Sequence, residues 1–191
     1  MAPKTITQLK SRLSGGGARP NLFEVELDFP FTASLSNGKD NDLDRFLVKA
    51  AALPASNITP IEVPFRGRIL KISGDRTFDT WTVTVINDTN FIIRSAFEQW
   101  MNVINKHDDA TGEVDPNNYQ VDGVRVHQLD RDGNKLRSYR FYGVFPTNIS
   151  QIDLSYETTD TIEEFTVEFQ VQWWSAEKGE TEVVSNTTDI E

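Results

Sequence analysis

Apolar and polar residues alternate along much of this chain, and the alternation predicts β-strands with one buried side and one solvent-facing side. The pattern is clearest at residues 21–29, 80–87 and 162–174. In the first segment the apolar face comprises Phe23, Val25, Leu27 and Phe29. In the other two it comprises Trp81, Val83 and Val85, and then Phe165, Val167, Phe169, Val171 and Trp173. We therefore expect these three strands to cover a common core.

Weaker signals predict the remaining strands. We expect short strands at 46–50, 68–72, 121–129, 136–143 and 149–156, with residues 68–72 and 80–87 joined by a tight connection at Gly74, Asp75 and Arg76. Pro60 and Pro64 confine the segment around them to an edge or a bulged strand, because proline has no amide to donate to a β-ladder. Clusters of turn-forming residues predict surface loops at 34–44 and 106–118.

One long helix is predicted at residues 90–106, where apolar residues recur at helical spacing. Those residues are Ile93, Ala96, Phe97, Trp100, Met101 and Ile104. Asp88 is a suitable N-cap for this helix. A shorter helix at 4–13 precedes Gly15, Gly16 and Gly17, which predict a hinge for an N-terminal arm. Roughly seven or eight strands and one principal helix indicate a mainly β protein of the sandwich or barrel class.

Length and charge narrow the possibilities further. A chain of 191 residues is long enough for one well-buried domain, here expected as an arm at 1–18, a β core at 19–174 and a loose polar tail at 175–191. The absence of cysteine excludes disulfides and thiolate metal sites. A formal charge of -10 argues against tight binding of nucleic acid, although an acidic wall can lie beside DNA without retaining it. Without a secretion signal or an apolar span, we expect synthesis in a cytoplasm and no membrane anchor.

No set of residues forms a recognisable catalytic site. His107 and His127 lack metal-site spacing, so surface positions or cross-strand packing are expected for them. The run DRDGN at 130–134 places its glycine too early for a calcium loop and instead predicts a hairpin turn. Glu163, Glu164 and Glu168 lie along one strand rather than in a cleft, and no Gly-x-Ser-x-Gly turn occurs. We therefore expect a protein that is not an enzyme and needs no cofactor or metal.

Four short runs carry a resemblance to a known family. The runs RPNLF at 19–23, ALPA at 52–55, GDRTFD at 74–79 and PTN at 146–148 occur in the same order as in the tail tube proteins of contractile-tailed bacteriophages, and the chain resembles that family from about residue 19 to 174. The resemblance implies two packed antiparallel β-sheets with one flanking helix. It also implies hexameric rings that stack into a tube, through which the genome passes when a surrounding sheath contracts. Sheath, baseplate or spike, and tail terminator proteins are the implied partners in the virion.

Carried over by position, the resemblance suggests two sets of functional residues. A ring or subunit interface would include Arg19, Asn21, Asp75, Arg76 and Asp79, although the run at 74–79 is equally compatible with an internal turn in which Asp75 or Asp79 holds Arg76. An acidic lumen, lined also by hydroxyl and amide groups, would include Glu164, Thr166, Glu168, Gln170, Gln172, Thr82 and Thr84. An ordinary solvent-facing sheet explains the second set equally well.

Two further interpretations stay open at this point. A related contractile injection or secretion system uses a similar ring to carry protein. A carbohydrate-binding β-sandwich, from a different functional class, would use Trp173 and Trp174 as a platform for sugar rings. That reading requires an exposed aromatic surface, whereas the alternation predicts that Trp173 is buried.

Overall fold

A computed structural model of the protein describes residues 5–13, 17–30, 47–109 and 111–178. The helices are α1 (Ile6–Arg12), α2 (Ile92–Ile104) and the short α3 (Pro116–Tyr119). The strands are β1 (Phe23–Glu26), β2 (Val48–Ala51), β3 (Ser56–Phe65), β4 (Arg68–Phe78), β5 (Trp81–Ile86), β6 (Arg125–Leu129), β7 (Lys135–Tyr142), β8 (Phe145–Ile149), β9 (Glu164–Gln170) and β10 (Trp173–Lys178). The predicted loop at 34–44, Gly15 and Gly16 of the predicted hinge, and residues 179–191 of the predicted tail lie outside the described residues. The predicted tail began at residue 175, but residues 175–178 belong to β10 and pair with β7, so the β core continues to residue 178.

The strands form two four-stranded sheets and a separate two-stranded ribbon. Sheet A has the order β1-β6-β7-β10, sheet B has the order β2-β5-β9-β8, and β3 pairs with β4 in the ribbon. Every pairing among these strands is antiparallel. The predicted mainly β class, with two packed antiparallel sheets and one principal helix, is confirmed.

The core lies between sheets A and B and beneath α2. Trp81 of sheet B stacks on Phe141 of sheet A with ring centroids 4.6 Å apart. Phe97 of α2 is fully buried, and its ring packs against that of Phe169 of β9 with centroids 5.7 Å apart. Trp100, also on α2, donates from its indole nitrogen to the Tyr119 carbonyl at 2.7 Å and so fixes α3 against the longer helix. The alternating apolar positions of β1, β5 and β9 add Val25, Val83, Val85, Phe165 and Val167 to this core.

Asp88 stabilises the start of α2 without being its N-cap residue. The N-cap is Phe91, which takes a left-handed conformation with φ 55°. Asp88 lies in the preceding turn, where Oδ1 accepts from the Ile92 amide at 3.0 Å and Oδ2 accepts from the Asn90 amide at 3.1 Å. The carboxylate therefore satisfies a first-turn amide as a cap would, because a tight turn at 88–91 brings it back over the helix end.

The predicted turn at Gly74, Asp75 and Arg76 is wrong, because these residues lie inside β4. The ribbon reverses direction instead at Arg66 and Gly67, whose φ values of 45° and 81° suit a two-residue hairpin turn. Gly74 lies opposite the irregularity between Ile58 and Pro60, and a Cβ there would come within 2.4 Å of the Thr59 carbonyl oxygen. The glycine therefore permits close approach of two strands. Pro60 and Pro64 were expected in an edge strand or a bulged strand, and β3 is both: it pairs only with β4 among the described strands, and its register shifts between Ile58 and Pro60.

The predicted strands at 149–156 and 162–174 also need correction. β8 ends at Ile149, and residues 150–163 form an irregular connection, hereafter the β8–β9 loop. The second segment is two strands, because the chain leaves sheet B after Gln170 and enters sheet A as β10. The Gln172 amide donates to the Tyr142 carbonyl at 3.1 Å at this crossing. Trp173 consequently leaves the core face and is 47% exposed.

The other local predictions agree with the structure. The β6–β7 hairpin turns at 130–134, where Asp130 accepts from the amides of Asp132 and Asn134 and Gly133 has φ 85°. Helix α1 and strands β1 and β2 lie close to their predicted positions. α3 was not predicted, although Pro116 at its first turn and the Asp115 cap are ordinary start signals for a helix.

Candidate assembly surfaces

The outer face of sheet B gathers the predicted lumen residues. In the β5–β9 register Thr82 lies opposite Glu168, and Thr84 lies opposite Thr166. Because these residues alternate with the buried Val83, Val85 and Phe165 positions, they share the face turned away from the core. Glu164 and Gln170 extend the same row along β9. The pairing thus brings together all the lumen candidates except Gln172.

Gln172 lies beyond the end of β9, in the crossing from sheet B to sheet A. It therefore does not belong to the polar row. Asn148 of β8 pairs with Glu168 and does belong to it, as does Ala50 of β2, which pairs with Thr84. The alternation within β9 does not indicate these two residues, because they come from other strands. Asn148 also lay outside the predicted strand at 149–156, since β8 begins four residues earlier, at Phe145.

The two glutamates on this face have different electrostatic environments. Glu164 forms an ion pair with Lys49 of β2, which crosses the sheet to reach it. Glu168 has no cationic partner within the described part of the chain. The face is consequently less acidic than the two carboxylates alone imply. Glu168 is its main uncompensated charge.

Both edges of sheet B are open in the described chain. β2 pairs only with β5, and β8 pairs only with β9. An edge strand presents unpaired amide and carbonyl groups that another strand can bind. Sheet B can therefore continue into a strand from another chain on either side.

The ribbon exposes apolar side chains on both strands. Seven of its large apolar residues are between 40% and 66% exposed, and they are Ile58, Ile61, Val63, Phe65, Ile69, Leu70 and Ile72. The cross-strand pairs Ile61 with Ile72 and Val63 with Leu70 place four of these groups on one face of the ribbon, whereas Ile69 lies on the opposite face. An exposed apolar patch of this kind is typical of an interaction surface.

The predicted interface residues fall into two places. The Gln128 side chain donates to the carbonyls of Arg19 and Leu22, each at 2.7 Å, so the backbone leading into β1 is fixed while the Arg19 and Asn21 side chains stay exposed. Asp75 and Arg76 lie on the ribbon, and Asp79 follows it.

The internal charge-braced turn is not present. The side-chain Nδ2 of Asn57 donates to both carboxylate oxygens of Asp79, at 2.8 and 3.0 Å. This contact connects the start of β3 to the residue that follows β4. Among the described residues, neither Asp75 nor Asp79 forms an ion pair with Arg76. These three residues therefore do not form one charge-linked turn, and their role in an interface stays a prediction.

His127 is buried in sheet A and packs across strands, which is one of the two alternatives expected for it; the other was a surface position. Its Nδ1 lies 2.7 Å from the Ser138 hydroxyl, and its Nε2 lies 3.2 Å from Glu26 and from Lys135. Burial lowers the pKa of His127, Lys135 lowers it further, and Glu26 opposes both. Burial alone would raise the pKa of Glu26, but His127 and Lys135 hold it below its usual range. No local sequence pattern indicates these partners, which come from β1 and β7.

The tryptophans do not form a continuous aromatic platform. Trp173 is exposed, contrary to the prediction from alternation, but one face of its ring stacks on Tyr142 with centroids 3.8 Å apart. Trp174 is half-buried, contacts Phe78 and Tyr139, and donates to the Ala55 carbonyl at 3.2 Å. In the described ranges, no cluster of histidine and acidic side chains has the arrangement of a metal site.

A two-sheet subunit with a polar outer face, two open edges and an exposed apolar ribbon belongs to the class of proteins that are completed by association with other chains. Residues 18–177 match the family model described as phage tail tube protein. The chain is 33% identical over 165 residues to tail tube protein gp19 of Enterobacteria phage T4, covering 84% of this chain and 93% of that protein. The chain belongs to the phage tail tube protein family, and it is a structural component of a contractile phage tail and thus of a virion.

Two further similarities agree with this assignment. A tail tube protein of Serratia phage KSP90 is 28% identical over 169 residues, covering 87% of this chain and 93% of that protein. One chain in the cryo-EM structure of the PVC sheath/tube terminator of an extracellular contractile injection system, in its extended state, has the same fold, with a TM-score of 0.62, 12% identity, and coverage of 84% of this chain and 96% of that one. The family resemblance read from the sequence is confirmed, and it favours the tail tube reading over a carbohydrate-binding sandwich. In the part of the chain that the structure describes, no helix is suited to span a membrane.

Proposed function

We propose that six copies of this single-domain chain close into a ring, that rings stack into the inner tube of a contractile tail, and that the genome passes through the lumen during ejection. The observation that carries the proposal is the polar outer face of sheet B between two open edges. Membership of the tail tube family supports a role as a tube subunit, and the polar face of sheet B is suited to the inner wall of that tube.

Edge-to-edge joining of sheet B would complete the structure in two ways. Pairing β2 of one subunit with β8 of the next would satisfy backbone groups that have no partner within the described residues, and closure of the ring would leave sheet B without a free edge. The apolar side of each sheet would stay against its own core. The polar side would then form a continuous inner wall that includes Thr82, Thr84, Glu164, Thr166, Glu168 and Gln170, with Gln172 at its rim.

The chemistry of this wall suits a DNA duplex that must move. Glu168 repels phosphate. The hydroxyl and amide groups are uncharged, so they do not displace counterions from the DNA phosphates as lysine and arginine do. Lys49 is held by Glu164 and so offers little attraction to a passing duplex. The net charge of -10 acts in the same direction. A lumen of this kind would conduct DNA without retaining it.

The ribbon is the second surface that supports assembly. Its apolar residues would be covered by neighbouring subunits, with Arg19, Asn21, Asp75, Arg76 and Asp79 contributing to ring or subunit contacts. The outside of the tube would face the sheath protein, and the tube ends would meet the baseplate or spike and the terminator. A tube that carries protein is the alternative within the same fold, and the phage relatives favour DNA.

Cross-linking across the proposed strand junction tests the ring. The chain has no cysteine, so Ala50→Cys on β2 and Asn148→Cys on β8 introduce two unique thiols on the outer face of sheet B. Within one chain the two strands are three strand spacings apart, about 14 Å, too far for bismaleimidoethane. In assembled protein this reagent should give a ladder of products that stops at six chains.

The single variant Ala50→Cys is the control, and it should give no ladder. A ladder that ends at another number contradicts the hexamer. Assembled tubes that give no product with the double variant contradict the β2–β8 junction.

A further inference from the structure

Helix α1 carries an apolar stripe that the described chain does not cover. Ile6, Leu9 and Leu13 follow helical spacing, and each is more than half exposed. Thr5 and Gln8 cap the helix through reciprocal hydrogen bonds, so the stripe is presented on a formed helical turn. A helix of this length is marginal in water unless its apolar side is packed against a partner.

The same segment is basic. Residues 1–13 contain Lys4, Lys10 and Arg12 and no acidic residue, although the whole chain is strongly acidic. A partner for α1 should therefore combine apolar groups with negative charge.

The β8–β9 loop has this combination. It borders an open pocket of about 540 Å³, and the pocket is lined in part by Leu154, Tyr156 and Ile162. These three side chains are at least 71% exposed, so the loop presents large apolar groups to solvent. A volume of this size lies within the range of pockets that bind small ligands or inserted side chains.

The loop is also acidic. Residues 150–163 contain Asp153, Glu157, Asp160 and Glu163 and neither lysine nor arginine, and Glu164 follows as the first residue of β9. Glu164 forms an ion pair with Lys49. The Glu163 carboxylate accepts a hydrogen bond from the uncharged side-chain amide of Asn87 at 2.9 Å. The other carboxylates have no cationic partner among the described residues. The loop therefore has several negative charges available to a basic segment.

Charge complementarity indicates which segment of the chain fits the pocket of the β8–β9 loop. Residues 179–191 contain four acidic residues and no basic residue, so repulsion disfavours them. Residues 31–46 carry more acidic than basic side chains. The ribbon is apolar and basic, but it is a flat two-stranded element with no helical stripe. Segment 5–13 matches the pocket in both charge and apolar character.

We propose that α1 of one copy docks on the β8–β9 loop of another copy, with Leu9 and Ile6 in the pocket and Lys10 facing the loop carboxylates. The contact rests on the proposed function, because it requires the chain to associate with itself. It assigns a specific receptor surface to the N-terminal arm, and it gives the exposed loop a role in holding subunits together.

Disulfide trapping tests the contact in the full-length protein. Leu9→Cys and Ile162→Cys are introduced together, and a second pair, Ile6→Cys with Leu154→Cys, covers the case in which the first disturbs folding. Assembled protein should give intermolecular disulfides that appear as a ladder on a non-reducing gel. Adding Lys10→Glu should slow disulfide formation about two- to fivefold, as expected for loss of one exposed ion pair, and Asp160→Lys in the same chain should restore the rate.

A matched control places one thiol on the ribbon. Ile69→Cys is as exposed as Leu9→Cys, at 59% against 57%, and combined with Ile162→Cys it should give little product. Preferential trapping of that pair overturns the proposal in favour of the ribbon. A disulfide within one chain overturns it in favour of docking on the same subunit. Normal tubes without any α1–loop product overturn this contact alone, whereas a parent chain that never associates overturns the proposed function as well.

Discussion

Strand β9 of sheet B and strand β4 of the ribbon are both rich in apolar side chains, yet they lie in opposite environments. In β9, Phe165, Val167 and Phe169 are buried to 1% exposure or less, and the polar residues between them face outward. In β4, Ile69, Leu70 and Ile72 are each about half exposed or more. A strand pattern therefore shows that apolar residues need a cover, but not whether the same chain provides it.

The difference follows from the layers around each strand. β9 has a strand on both sides, sheet A beneath it and α2 over its end. β4 has only β3 beside it, and among the described residues its one ring contact to a sheet is at its end, where Phe78 contacts Trp174 of sheet A. An isolated two-stranded hairpin is marginally stable in water. We infer that the core stabilises the monomer, whereas the ribbon contributes mainly after assembly.

The largest expected effect is on the core. Phe97→Ala removes a fully buried ring that contacts Phe29, Phe165 and Phe169, and it should lower the free energy of unfolding by about 3 to 5 kcal/mol. Denaturant unfolding of a monomeric form measures this. A loss below about 1 kcal/mol would show that α2 is not the cover of the core.

The matched substitution in the ribbon should act on assembly instead. Ile69→Ser combined with Leu70→Ser should change the unfolding free energy of the monomer by less than about 0.5 kcal/mol, as is usual for exposed positions. Loss of two apolar contacts should raise the concentration needed for polymerisation at least about tenfold. Light scattering during assembly provides the measurement. Val114→Ser, at a position 90% exposed outside the ribbon, is the control that should leave assembly unchanged.

A smaller effect is expected from the charge on sheet B. Glu168→Lys replaces its uncompensated carboxylate with a cation and should slow genome release about threefold or more at low salt, with recovery as salt rises. Glu168→Gln removes the charge without adding a phosphate contact and should change release less. Virions with intact tails are compared by the rate of DNA release. Equal release by both variants at every salt concentration would show that Glu168 does not face the DNA.

The smallest expected effect is a pH dependence within sheet A. Burial and Lys135 hold the pKa of His127 below its ordinary value of 6.5, against the opposing effect of Glu26 and Glu24. The unfolded chain therefore binds a proton more readily, and stability should fall as pH drops through 6.5 toward the lower pKa of the folded state. His127→Gln should flatten this slope in urea unfolding between pH 7.5 and 5.5. A slope that stays the same in His127→Gln would contradict this assignment.

Local patterns predicted those elements whose environment is set by nearby residues. Alternation identified β1, β5 and β9, and helical spacing identified the face of α2 that carries Phe97 and Trp100. The Asp130–Asn134 hairpin follows from turn chemistry alone. β1, β5, β9 and α2 carry their own signals because each buries one face against the same core, whereas the exposed hairpin is specified by its turn residues.

The misassigned elements depend on distant partners. Gly74 has the composition of a turn residue, but its position is set by the Thr59 carbonyl on the neighbouring strand. Trp173 continues an alternation that ends only because the chain moves to sheet A beside Tyr142. The polar face of sheet B was predicted from β5 and β9, whereas Lys49 and Asn148 join it through pairings that no local pattern specifies.

In the proposed ring, the outer face of sheet B lines the lumen and the open edges join neighbouring subunits. A cryo-EM reconstruction of tubes assembled from this chain tests that placement. We expect six subunits in each ring, with β2 of one subunit beside β8 of the next and with Thr84, Thr166 and Glu168 turned toward the central channel. A reconstruction in which this face lies on the outside of the tube, or is buried between stacked rings, would contradict it.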